Sequence, residues 1–107
     1  MAQSVKYHKL IRDRIPQIIE LSGKRCTVKT LDDQEYLKML DEKLNEELAE
    51  YQESKALEEL ADLLEVMEAT IKARGHSWEE LTKIRAEKYA QRGGFEKRLC
   101  LLEVTDG

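Results

Sequence analysis

An all-α fold, a four-helix bundle with a short peripheral strand pair and completed by oligomerisation, is what the sequence predicts, on three observations. Apolar residues recur every three or four positions over 37–51 and again over 57–71, the period of an amphipathic helix. The 107 residues include one Pro and five Gly, too few to interrupt long elements. Two pairs, Asp32 with Glu35 and Ser77 with Glu80, have the spacing of a capping box, and each precedes a helical stretch. The length suits one domain, 1–107.

Residues 1–15 read as an extended basic arm containing YHKLIRDRI (7–15), after which Pro16 supplies a first helical position, its fixed φ being suited to helix entry. A short helix, PQIIELS (16–22), follows and Gly23 closes it. RCTVKTL (25–31) has the β-branched content and alternation of a short strand. Asp32 opens a second helix near Asp33 that runs to about Ser54, with Leu37, Leu40, Leu44, Leu48 and Tyr51 in one stripe. Lys55 to Arg74 form a third helix carrying Leu57, Leu60, Leu64, Met67 and Ile71, ended by Gly75. Ser77 opens a fourth, with Trp78, Leu81 and Ile84, which stops at Arg92-Gly93-Gly94. FEKRLCLLEV (95–104) reads as a terminal strand able to pair with 25–31.

The third helix sets the expectation of assembly. At about 100° per residue its main stripe leaves Ala56, Leu63, Val66 and Thr70 on another side, so the helix is apolar on two sides. Four short helices can hardly enclose one of their own number, which points to a homo-oligomer, most simply a twofold dimer.

Charge is segregated along the chain: residues 1–30 are net +5, 31–70 net −11 and 71–107 net +2. The acidic middle would repel a phosphate backbone, so a nucleic-acid polymer is not an expected partner. No stretch approaches the ~18 uncharged apolar residues of a membrane span, and MAQSVKYHKL has no apolar signal core. Cys26 and Cys100 are too few for a disulfide scaffold or a zinc site. The expectation is a cytoplasmic protein without a membrane partner.

On the second helix Glu47 and Glu50 lie three apart and so share a face, with Lys43 and Ser54 along the same edge. The third helix repeats the spacing with Glu59 and Asp62, set among Leu63, Val66 and Ala56, where ionised carboxylates are costly unless a positive charge compensates them. Spacing alone leaves two readings. One is a magnesium site, since Mg²⁺ takes hard oxygen ligands and joins one or two carboxylates to phosphates. The other is ordinary surface pairing, Lys43 with Glu47 or Glu58 with the basic arm, worth a few tenths of a kcal/mol each.

KLNEELAEYQES (43–54) followed by EELADLLEVMEA (58–69) resembles the E-x-x-E … E-x-x-D signature of the all-α nucleoside triphosphate pyrophosphohydrolases, the MazG-like superfamily. With YHKLIRDRIP (7–16) and RGGFEKRLCLLEV (92–104), the chain is similar over residues 7–104 to its small single-domain branch, described as phosphoribosyl-ATP pyrophosphohydrolase-like or house-cleaning enzymes. One departure is that only eight residues separate Glu50 from Glu59, fewer than is usual in the superfamily. The resemblance implies Mg²⁺-dependent hydrolysis of a nucleoside triphosphate to the monophosphate and pyrophosphate. It also implies that Glu47, Glu50, Glu59 and Asp62 are the catalytic, metal-ligating carboxylates. The phosphoribosyl-ATP enzyme of histidine biosynthesis is one alternative; a non-catalytic helical interaction module with a merely acidic surface is another.

For the phosphates, Lys9, Arg12 and Arg14 in the arm, Lys43 beside the acidic pair, and Lys88, Arg92, Lys97 and Arg98 near the end are the cationic candidates. Gly93 and Gly94 would admit a close phosphate, or serve as a plain helix cap. His8 and His76 lack mutual ligand spacing, and Trp78 and Phe95 are read as packing residues.

Overall fold

The computed structural model describes residues 3–107 and contains four helices: α1 (Ile15–Leu21), α2 (Asp33–Ser54), α3 (Leu57–Ala73) and α4 (Trp78–Arg92). The all-α expectation holds, and each helix starts and stops within two residues of its expected bounds. The strand pair does not form: among the described residues neither 25–31 nor 95–104 is a strand. Val28, Leu99, Leu101, Leu102 and Val104 lie exposed. A lone two-stranded ribbon with no apolar face packed beneath it is marginal in water.

Local chemistry sets the helix ends. Pro16 sits in the first turn of α1, and Gly23 at φ 89° closes it. Asp32 caps α2 by accepting the Glu35 N–H at 2.8 Å. The expected box is only half built there, because the Glu35 carboxylate turns to Lys29 at 3.0 Å instead of to the cap backbone. At α4 the box is complete, with Ser77 Oγ accepting from the Glu80 N–H at 3.1 Å and Glu80 Oε1 accepting from the Ser77 N–H at 3.2 Å.

Two residues, Lys55 and Ala56, join α2 to α3 and force an antiparallel hairpin. Lys55 takes the left-handed conformation, φ 58°, and its N–H donates to the Tyr51 carbonyl. Ser54 Oγ accepts from the Ala56 N–H at 3.1 Å, and at the open end Arg74 donates to Asp41 at 2.9 Å. The hairpin holds what core there is: Leu40 is 1% exposed and Met39 is also buried. α4 packs on α3, with Leu81 and Thr82 half-buried.

The apolar sides of α3 are used in the opposite sense to the one expected of a main stripe. Glu59, Asp62, Leu63, Val66, Thr70 and Ala73 are half-buried in the hairpin, whereas Leu57, Leu60, Leu64 and Met67 are 76, 40, 49 and 37% exposed. The chain is correspondingly extended, 72 × 31 × 24 Å with a radius of gyration of 19.3 Å. A compact chain of this length would have about 13 Å. Its accessible surface is 10294 Å². A compact monomer of this mass would expose about 6,200 Å².

Candidate metal centre

The centre is built where α2 and α3 face each other near their connection. Helical spacing puts Glu46, Glu47 and Glu50 on adjoining positions of α2, and Glu59 and Asp62 on one face of α3. The tight connection then brings the two faces together. Oxygens of Glu47, Glu59 and Asp62 lie within 4.8 Å of one another, and so do oxygens of Glu46, Glu47 and Glu50. With Glu46 added, the four expected carboxylates therefore fall into two overlapping triads hinged on Glu47 rather than one four-membered set.

Glu47 is the unusual member. It is 6% exposed, and its Oε2 is buried with no hydrogen-bond partner among the described residues. A buried, ionised and half-unsatisfied carboxylate is among the more costly groups a small protein can keep. Burial, and then the neighbouring Glu50 carboxylate, push its pKa up, against the opposing pull of Lys43. Lys43 Nζ stands 3.4 Å from Glu47 Oε1 and 3.1 Å from Glu46 Oε2. Burial on its own would lower the Lys43 pKa, but the bonds to Glu46 and Glu47 outweigh it and leave the ammonium held above its ordinary value.

The basic arm completes the surroundings. Leu10 and Ile11 are half-buried, and His8, Lys9 and Leu10 share a hollow of about 70 Å³ with Met39, Glu42, Lys43 and Glu46. Arg12 Nη2 donates to Asp62 Oδ1 at 2.6 Å, and Lys9 Nζ lies 3.9 Å from Glu46 Oε1. The arm's partners are thus Asp62 and Glu46, with Glu58 taking no part in the ion pairs of the described residues.

Five carboxylates against three cations leave two negative charges when all are ionised, and the donors are all hard oxygens. With one buried oxygen unpartnered among the described residues, that set suits a hard divalent cation better than a softer metal.

Of the cations expected at the phosphates, Lys9, Arg12 and Lys43 adjoin the carboxylates. Lys88, Arg92 and Arg98 lie on the last turns of α4 and in the tail beyond, exposed and in no ion pair among the described residues. Glu46 is the member that the spacing rule passed over. Its signal was present in the i, i+3 and i, i+4 relations to Lys43 and Glu50.

No protein-family model matches the chain, and no solved structure matches it. Over 42 residues it is 52% identical to an uncharacterized protein of Mycolicibacterium smegmatis (strain ATCC 700084 / mc(2)155), a stretch covering 39% of this chain and 43% of that protein. The matched part thus spans less than half the length of that relative.

Proposed function

We propose that the protein is a Mg²⁺-dependent nucleoside triphosphate pyrophosphohydrolase of the MazG-like kind. The observation that carries this reading is the buried Glu47 Oε2, without a hydrogen-bond partner among the described residues, at the shared corner of two carboxylate triads, a position that a bound cation would relieve. Glu47, Glu59 and Asp62 would hold the ion, with Glu50 and Glu46 beside them. When bound, the ion supplies charge neutralisation along the phosphate chain and polarises the attacked phosphorus. Lys9, Arg12 and Lys43 are the side chains of this chain nearest to where that phosphate chain would lie, and they orient it by charge-assisted hydrogen bonds.

In the reaction a water oxygen forms a bond to the α-phosphorus, the bond from that phosphorus to the bridging oxygen breaks, and the electron pair leaves with pyrophosphate. The water proton passes to a carboxylate of the cluster. A second copy of the chain completes the fold in this reading. The exposed Leu57, Leu60, Leu64 and Met67 stripe pairs with its own copy about a twofold axis, turning two hairpins into a four-helix bundle.

The deciding experiment measures pyrophosphate release from a panel of nucleoside triphosphates and from phosphoribosyl-ATP, with and without Mg²⁺. Metal-dependent release from triphosphates supports the reading. Release from phosphoribosyl-ATP alone moves the substrate to the histidine pathway intermediate, and no release from any of them removes the enzyme.

A further inference from the structure

We propose that Arg12 stands in for the divalent ion, so that the basic arm straps the acidic cluster in the metal-free protein and metal entry releases it to the phosphates of the substrate. The inference rests on the metal-centre reading and adds an order to it: metal first, nucleotide second.

Three features place the strap. The arm has no helix or strand of its own over residues 3–12, so side chains tie it down. Two of its cations reach opposite walls of the centre, Lys9 to Glu46 on α2 and Arg12 to Asp62 on α3. Neither cation reaches Glu47 Oε2, which has no partner among the described residues. The strap therefore neutralises the rim and leaves the deepest oxygen for the ion.

A divalent cation among Glu47, Glu59 and Asp62 would sit within a few ångströms of the guanidinium, and like charges at that range repel. The Arg12–Asp62 pair is half-exposed on both sides, so it is worth little and is displaceable. Once off Asp62, the fork of Arg12 is free to take a phosphate bidentately.

Manganese titrations of the full chain without nucleotide, followed by calorimetry and by the electron paramagnetic resonance of free Mn²⁺, test this on wild type, Arg12→Ala and Arg12→Gln. Both variants are expected to bind Mn²⁺ up to about fivefold more tightly, the worth of an exposed pair removed as competitor. In wild type, saturating Mn²⁺ is expected to speed trypsin cleavage after Arg12 and Arg14. Equal or weaker Mn²⁺ binding by both variants, or unchanged cleavage, overturns the strap while leaving the metal centre standing. Absence of Mn²⁺ binding in all three proteins overturns both.

Discussion

Lys43 Nζ faces Glu47 Oε1 at 3.4 Å and leaves the other oxygen of that carboxylate, Oε2, buried without a partner among the described residues. A lysine four residues before a glutamate on the same helix is an ordinary pair at the surface. Here the glutamate lies inside the hairpin, next to Glu50, and one ammonium shared with Glu46 does not satisfy it. The residue is a poor choice for stability, and that is what makes it the first position to test for a functional role.

Glu47→Gln separates the two roles. The amide keeps the shape, removes a buried charge and can donate to the Glu50 carboxylate, so the metal-free variant is expected to be as stable as wild type or about 1 kcal/mol more stable. Metal affinity and pyrophosphate release should each fall by about a hundredfold or more, because a ligand charge at the centre of both triads is gone. Thermal melts, manganese titration and the release assay read the three quantities. A variant that keeps full activity would remove Glu47 from the chemistry.

The raised pKa of Glu47 gives a pH dependence with a definite sign. A carboxyl that holds its proton more tightly folded than unfolded favours the fold at pH below its unfolded value, and that advantage is lost as pH rises through the window up to the folded value. Metal-free wild type should therefore lose stability relative to Glu47→Gln as pH rises above the ordinary glutamate value of about 4.3. Excess Mg²⁺ should remove the loss, since it replaces the proton. Glu80, held below its ordinary value chiefly by His76 and by the Ser77 amide, slopes the other way on the acid side. It is present in both proteins and cancels in the comparison. Melts across that range at fixed ionic strength check the sign, and a gap that widens toward low pH would contradict it.

Residues 32 to 92 were largely legible in the sequence, because their helix ends are governed by side chains a few positions away. Asp32, Ser77, Gly75 and Gly93 each mark an end by local chemistry alone. What failed was non-local. The alternation in 25–31 is real, but a strand exists only with a partner, and the tail at 95–104 does not supply one. Periodicity showed that α3 has two apolar sides, yet it could not say which one meets α2, and the side holding Glu59 and Asp62 is the inner one. The contact of Arg12 with Asp62 spans fifty residues, beyond any spacing rule.

The outward stripe of α3 makes the assembly testable. Light scattering at micromolar concentration should give a mass near twice the 12.5 kDa of the chain. Leu64→Glu should return it to the monomer value, because a charge at the middle of a self-complementary apolar stripe meets its own copy across the axis. Leu64 is 49% exposed in the single chain, so helicity by circular dichroism should fall little at low temperature. Wild type at the monomer mass would take the second copy out of the proposal.

The connection between α2 and α3 offers the last test, because it fixes how the two carboxylate faces meet. Lys55 adopts φ 58°, which costs a residue with a Cβ roughly 1 kcal/mol and costs glycine almost nothing. Its side chain recovers a part, with Nζ 5.5 Å from the Tyr51 ring centre and 2.9 Å from Gln52 Oε1. Such exposed contacts are worth about half a kcal/mol. Lys55→Gly should thus stabilise slightly, raising Tm by about 2–4 °C, with metal affinity unchanged. Lys55→Pro should do the reverse. Proline cannot reach that φ, and it lacks the N–H that donates to the Tyr51 carbonyl at 2.7 Å. Breaking the turn lets α3 slide or rotate against α2, so Glu59 and Asp62 leave Glu47, and manganese affinity should fall together with Tm. If Lys55→Pro binds manganese as wild type does, the short connection is not what assembles the centre.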